Sequence, residues 1–459
     1  MTKMRQEKIH FLGIGGISMS ALAKYAIRSG YFVSGSDRRR SEQTESLTVI
    51  GVNVYTAQTE ARRQALEEAD TVVYTDAIPA DDNELRLAVA LGKRVVSRAE
   101  FLNFIAKDFR HILAVAGSHG KTTCTAMCAH VLKATGVPFA AHIGGEDVAF
   151  GNFVLSGYEP NDDTTNDGSF FVTEACEYKK NLLKIQSETA ILLNIDRDHM
   201  ECYGSEESLI STFSEYCAKA KTAFVCADDE NCRTLNGEYA TFGITAPLAD
   251  YRAVDLRATG EKYAFTVCEY GKPLERVRLN ASGRCNVYNA LAAFAAMRRY
   301  GFDEKTVREG LEEFTAVKRR FEKIGTYKGA AFICDYAHHP RELASTIETA
   351  ERTCKGDLFV VFQPHTYSRT KALMEEFVEV LRKVKNPVVY KTYAAREYYD
   401  EAGSAATLAR NVGSCLYIGT TRELKAWLKR TLKERDTVLF LGAGDIYYAA
   451  IHVLRELNK

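Results

Sequence analysis

The chain lacks a net charge: 60 lysines and arginines offset 60 aspartates and glutamates in 459 residues. That balance excludes the one-sided field of a nucleic-acid or membrane-surface binder, so neither partner is expected. Also missing is any run of about 18 apolar residues, which excludes an ordinary transmembrane helix. The twelve cysteines include no C-x-x-C pair, and many fall inside apolar runs such as "CTAMCAHVL". A disulfide framework is therefore not expected, and the thiols read as reduced core residues. "MTKMRQEKIHFLG" enters a strand pattern without the apolar stretch of a signal peptide. A cytoplasmic protein is the expectation. No repeat of fixed period and no low-complexity tract is present, which excludes a solenoid.

Apolar content is 46%, enough for cores in about three domains at roughly 150 residues each. Short apolar runs alternate with helical periods. "KIHFLGIGG", "YFVSGSD", "ADTVVYTDAI" and "KRVVS" read as parallel strands of a doubly wound sheet, and "ISMSALAKYAIRSG" as a helix between the first two. This unit spans residues 1–108. A second, 109–314, opens at "HILAVAGSHGKTT" and continues through "SFFVTEACEY", "TAILLNIDRDH" and "TAFVCADD", apolar on both faces as central strands are. "EPNDDTTNDGS" reads as a polar, flexible loop, and "KYAFTVCEYGKPLERVRLN" as an antiparallel hairpin at the sheet edge. A third open α/β unit, 315–459, contains "AAFICDYAHHP", "DLFVVFQPH", "NPVVYKTYAA", "CLYIG" and "TVLFLGAGD". The fold class is α/β throughout.

"GSHGK" joins a buried strand to the helix "KTTCTAMCAHVLKATG". Backbone N–H groups at such a turn, and the positive end of the helix, favour phosphate oxygens. Gly117 and Gly120 permit the turn, Lys121 reaches outer phosphates, and Thr122 is placed to ligate Mg²⁺. The first glycine of the usual G-x-x-x-x-G-K-[ST] pattern is absent, with Val115 in its place. Glu174 ends one strand and His199 follows another. In an open parallel sheet those carboxyl ends face the ligand crevice, so both join Lys121 on one edge as candidate Mg²⁺ ligands.

"HFLGIGGISMSALA", "AGSHGKTT", "EACEY", "NIDRDHMECYG", "NVYNALAA", "RRFEKIG", "DYAHHPRE", "FQPHTYSRT", "YAARE" and "GAGDIY", in this order, resemble the Mur ligase family of cytoplasmic cell-wall enzymes. The resemblance runs over essentially the whole chain. It implies a Rossmann-like N-terminal domain for a UDP-sugar, a P-loop ATPase centre, and a Rossmann-like C-terminal domain that closes over ATP and an amino acid. The implied reaction joins L-alanine to UDP-N-acetylmuramic acid, with ATP going to ADP and phosphate and two Mg²⁺ ions expected as cofactors. The chain is expected as a monomer or homodimer.

The same resemblance implies residue roles. Gly117, Ser118, His119, Gly120, Lys121, Thr122 and Thr123 form the ATP loop, and Thr122 with Glu174 holds one Mg²⁺. His199 supports a second. Asn286 and Asn289 match adenine contacts, Arg320 a phosphate-binding arginine from the third domain, and Asp335 a ribose contact. Lys121, Glu174, His199 and Arg320 are the catalytic set. His339 and Arg369 fall where the alanine carboxylate is expected. "GIGGIS" fits a diphosphate cradle through Gly13, Gly15 and Gly16, with Ser36, Asp37 and Thr75 beside the uridine. Three departures stand out: Cys285 replaces a family histidine, Ser118 a common threonine, and Phe213 lies near the carbamylated lysine of sister ligases. Carbamate chemistry is therefore not expected. Zinc at "HH" is not expected either, for want of a second Cys/His pair nearby. Competing readings are a ligase with a peptide acceptor, a UDP-sugar binder without chemistry, and a nicotinamide dehydrogenase resting on "GIGGIS" alone.

Overall fold

A computed structural model describes residues 7–159 and 168–459. Most of the expected polar loop at 159–169 lies outside the described residues. The described residues build three sheets in sequence order.

The first holds β1 (Lys8–Leu12), β2 (Phe32–Ser36), β3 (Asn53–Tyr55), β4 (Thr71–Tyr74) and β5 (Arg94–Ser97) in the order 3-2-1-4-5. All its pairings are parallel. The order reverses at β1, so a crevice opens beyond its carboxyl end. The Gly13–Gly16 turn lies there, leading into the helix Ile17–Arg28.

The second sheet contains β6 (His111–Ala116), β7 (Phe139–Asp147), β8 (Gly151–Ser156), β9 (Phe170–Glu174), β10 (Thr189–Leu192), β11 (Thr222–Cys226), β12 (Ala240–Gly243), β13 (Tyr251–Thr259), β14 (Lys262–Glu269) and β15 (Lys272–Ser282). Its order is 15-14-13-12-11-10-6-9-7-8. β6 is central, parallel to β9 on one side and β10 on the other. Leu113, Ala114, Val115 and Ala116 on β6 are wholly buried, as a strand covered on both faces requires. The expected hairpin is β14–β15, at the sheet edge. Its Tyr270 and Gly271 both have positive φ, 47° and 82°, the conformation of a tight two-residue hairpin turn. The antiparallel β7–β8 pair and the strand β13 have no counterpart in the sequence reading.

The third sheet orders β16 (Glu322–Tyr327), β17 (Ala330–Asp335), β18 (Leu358–Phe362), β19 (Asn386–Tyr390), β20 (Leu416–Ile418) and β21 (Thr437–Leu441) as 16-17-21-18-19-20. Only β16 is antiparallel to its neighbour. Aliphatic and aromatic side chains cover both faces, with Leu343, Phe377 and Leu408 on one and Leu424, Leu428 and Val453 on the other.

The chain clusters into two compact units. One comprises 1–255, 265–277 and 286–315, and the other 256–264, 278–285 and 316–459. The first sheet and strands β6–β12 of the second thus share a unit, while parts of β13, β14 and β15 fall in the other.

Candidate active site

β6 ends at Ala116, and the chain turns through Gly117–Gly120 into the helix Lys121–Thr135. Gly117 and Gly120 have φ of 136° and 87°. A Cβ on Gly120 would lie 2.6 Å from Asn289 Oδ1, so the turn needs glycine for both backbone and space. Val115, where the common motif has glycine, is simply part of the buried strand. The turn is pinned from the neighbouring strand's exit. Asn194 Oδ1 accepts from His119 N at 2.8 Å, Asp196 N donates to Ser118 Oγ at 2.8 Å, and His119 Nε2 lies 2.9 Å from Asp196 Oδ2. Thr122 and Thr123 are buried in the first helical turn. Asn289 Nδ2 donates to Asn286 Oδ1 at 2.8 Å, so both asparagines stand at the loop.

Lys121 folds back over this turn. Its Nζ donates to Gly117 O at 2.6 Å and Ser118 O at 3.1 Å, and it lies 2.9 Å from Glu177 Oε2. Burial works against the ammonium charge, but Glu177, together with Cys176 and Glu174, outweighs it and holds the lysine pKa above its ordinary value.

Glu174 closes β9 opposite Val115 of β6 and accepts a hydrogen bond from Gly144 N at 2.6 Å. His199 sits in left-handed backbone at φ 54°, an uncommon state for a non-glycine residue that clusters at functional positions. Its N–H donates to Asp198 Oδ1 at 2.9 Å. Its Nε2 lies 3.8 Å from Glu177 Oε1 and 3.7 Å from Asp198 Oδ2. Glu177, Asp198 and His199 each present a ligand atom within 4.8 Å of the others. Two carboxylates with one imidazole fit a hard divalent cation such as Mg²⁺. Glu174 is outside that trio. Sequence reasoning had missed Glu177, Asp196 and Asp198, although "EACEY" and "NIDRDH" contain them. Only the carboxylate at the strand end was singled out.

At the first sheet's edge, Gly13 N donates to Ser36 O at 2.8 Å, and Gly15 N to Asp37 Oδ2 at 2.9 Å. A Cβ on Gly13 would meet Thr75 Cγ2 at 2.9 Å. Gly13, Gly15, Gly16, Ser36, Asp37 and Thr75 therefore converge. Ser36 Oγ also donates to Glu84 Oε2 at 2.8 Å, and Glu84 pairs with the buried Arg62.

In the other unit, Asp335 closes β17 and accepts from Phe321 N at 2.7 Å and Ala337 N at 2.8 Å. Burial pushes its carboxyl above the usual range, against the pull of Arg320. The Arg320 guanidinium lies 5.1 Å from the Tyr336 ring centre. His339 is buried where the helix Pro340–Thr353 begins. Arg369 Nη1 is 3.2 Å from His365 Nδ1, and the His365 ring is 5.9 Å from that of His338. The "GAGD" turn is a structural tie, since Arg319 donates to the carbonyls of Gly442 and Gly444 at 3.1 and 3.0 Å.

Three family models match the chain in order: "Mur ligase family, catalytic domain" over 8–110, "Mur ligase middle domain" over 115–297, and "Mur ligase, glutamate ligase domain" over 319–444. The chain is 34% identical to a UDP-N-acetylmuramate–L-alanine ligase from Caldicellulosiruptor bescii, covering 96% of each chain. It is 36% identical to one from Clostridium beijerinckii, covering 97% of this chain and 96% of the relative. The crystal structure of a UDP-N-acetylmuramate-alanine ligase from Thermotoga maritima superposes with a TM-score of 0.82 at 28% identity, over 98% and 99% of the two chains. A murein peptide ligase from Psychrobacter arcticus gives 0.76 at 25% identity, over 99% of both. Near full-length identity above 30% and a three-sheet architecture shared end to end lead to one conclusion: the chain belongs to the Mur ligase family.

Proposed function

We propose that the chain is an ATP-dependent amide ligase that joins L-alanine to UDP-N-acetylmuramic acid. The observation that carries this reading is the gathering of Lys121, Thr122, Glu174, Glu177 and His199 around one strand-to-helix turn. Near full-length likeness to relatives named for that activity supports it.

The chemistry needs such a site. A carboxylate resists attack by an amine because its charge is delocalised and oxide is a poor leaving group. Transfer of the γ-phosphoryl group from ATP to the sugar carboxylate gives an acyl phosphate and ADP. The alanine amine then attacks the carbonyl, and phosphate leaves as the amide forms and the amine gives up a proton. Both steps build negative charge, so cations and N–H donors aimed there dominate catalysis.

Lys121 and the 117–123 backbone hold the β- and γ-phosphates, and Asn286 and Asn289 the adenine. Thr122 and Glu174 are assigned one Mg²⁺, and His199, with Glu177 and Asp198, a second. Bound there, Mg²⁺ supplies neutralisation of charge developing on the phosphates. Residues 1–108 take the UDP-sugar, with Gly13, Gly15 and Gly16 at the diphosphate and Ser36, Asp37 and Thr75 at the uridine. Residues 109–314 take ATP, and 315–459 bring Arg320, Asp335, His339 and Arg369. A cytoplasmic monomer or homodimer completes the reading.

The test is ADP release with ATP, UDP-N-acetylmuramate and alanine each omitted in turn. All three are required if the assignment holds. Release without the sugar acid, or product mass showing a peptide rather than alanine as the preferred acceptor, overturns it.

A further inference from the structure

Glu177 is the carboxylate that sequence reasoning passed over, and its surroundings are unusual. The residue is 2% exposed. Both its carboxylate oxygens face Lys121 Nζ, Oε1 at 3.1 Å and Oε2 at 2.9 Å. Its carbonyl accepts from the Tyr203 hydroxyl at 2.5 Å, which fixes the backbone beneath the side chain. The lysine's remaining contacts are the carbonyls of Gly117 and Ser118. Lys121 is thus satisfied entirely by protein oxygens, with the acid standing where an anion belongs.

We propose that Glu177 is a positioning residue that stands in for the nucleotide's terminal phosphate and so makes ATP entry depend on an accompanying divalent cation. This rests on the ATP-binding reading above. When Lys121 turns to the phosphates, Glu177 loses its main cation while further negative charge arrives beside it. Two anionic groups in a buried place repel strongly, and a buried carboxylate left unpaired is costly. His199 is at 3.8 Å and Asp198 adds another acid to the same corner. Magnesium-free ATP is therefore a poor ligand. A divalent cation arriving with ATP removes the conflict, because the oxygen donors that repel the phosphates are the ones that suit the cation. A merely structural ion pair between Lys121 and Glu177 makes no such demand.

The experiment is calorimetric titration of ATP into the full chain, once with EDTA and once with excess Mg²⁺. Wild type, Glu177→Gln and Glu177→Asp are compared, with cooperative thermal unfolding as the check on folding. Wild type is expected to prefer the magnesium form by at least about 100-fold, a gap of about two decades in Kd. Glu177→Gln, which keeps shape and removes charge, is expected to narrow that ratio at least about tenfold, chiefly by tightening magnesium-free ATP. Glu177→Asp keeps the charge and is expected to retain the preference.

An unchanged ratio in Glu177→Gln, or weaker binding of magnesium-free ATP by that variant, overturns the proposal. Equal affinity of wild type for both forms overturns it without any variant, which covers a Glu177→Gln chain that does not fold. If wild type binds neither form, the ATP reading falls as well. If it binds ATP and turns over without a preference set by Glu177, only this inference falls.

Discussion

Gly144 lies directly against Glu174. Its amide donates to Oε1 at 2.6 Å, and a methyl group in place of its hydrogen would meet both carboxylate oxygens at 2.5 Å. A glycine within a strand marks such a close approach. Gly144→Ala must therefore turn the carboxylate away from its present position. Turnover, read as ADP release, is expected to fall about 10- to 100-fold, as small misplacements near reacting groups do. Full activity in that variant would remove Glu174 from the ATP machinery.

Lys121→Ala removes the central phosphate contact and is expected to reduce turnover by about 10²–10³. It also strands Glu177 in a buried place, and breaking a buried pair from one side costs roughly 3–5 kcal/mol. Adding Glu177→Gln to Lys121→Ala should recover much of that stability without recovering turnover. Urea unfolding and ADP release, measured on the same two proteins, separate the effects.

His142 spans two layers of its unit. Its Nε2 is 2.8 Å from Ser18 Oγ, and its Nδ1 is 3.0 Å from Thr173 Oγ1. Burial, with Arg98 nearby, pushes its pKa down to about 3. Burial likewise pushes His10 down to about 4. An unfolded histidine titrates near 6.5. Below that pH the unfolded chain takes up protons that the folded chain refuses, so stability falls as pH falls from about 6.5 towards 4. Across its full window His10 contributes on the order of 3 kcal/mol and His142, whose window reaches lower pH, on the order of 5 kcal/mol. Chemical denaturation at pH 7 and pH 5 should show the loss, and His10→Asn should make the slope shallower. A pH-independent midpoint over this range contradicts the assignment.

The helix Glu304–Glu313 packs on the phosphate-loop helix at Gly310, where a Cβ would lie 2.5 Å from Val131 Cα. Backbone cannot yield as a flexible side chain does. Gly310→Ala is expected to destabilise the chain by about 1–3 kcal/mol through overpacking. A shifted urea midpoint with little change in its slope is the signature.

The strand runs and the "GSHGK" turn were legible because their causes are local. Apolar runs of strand length, glycines that accept positive φ, and a following helical period act within a few residues of one another. β16 was missed: "EKIGTY" is polar and carries a glycine, so its pairing with β17 is what makes it a strand. β7–β8 and β13 likewise owe their pairing to neighbours along the sheet edges.

At the site, motif and strand position singled out Gly117, Gly120, Lys121, Thr122, Glu174 and His199 as candidates, and the family resemblance supplied the remaining assignments. The partnership of Lys121 with Glu177 was another matter. Those residues stand 56 positions apart, and they meet because β9 pairs with β6 on one flank while β10 pairs on the other. Alternation of apolar and polar residues says which segments are strands, but many strand orders satisfy it equally. The sequence alone therefore determined the strongly patterned elements and the residue types they carry. Tertiary structure decided which acid neutralises the lysine, because that depends on the order in which buried strands lie side by side.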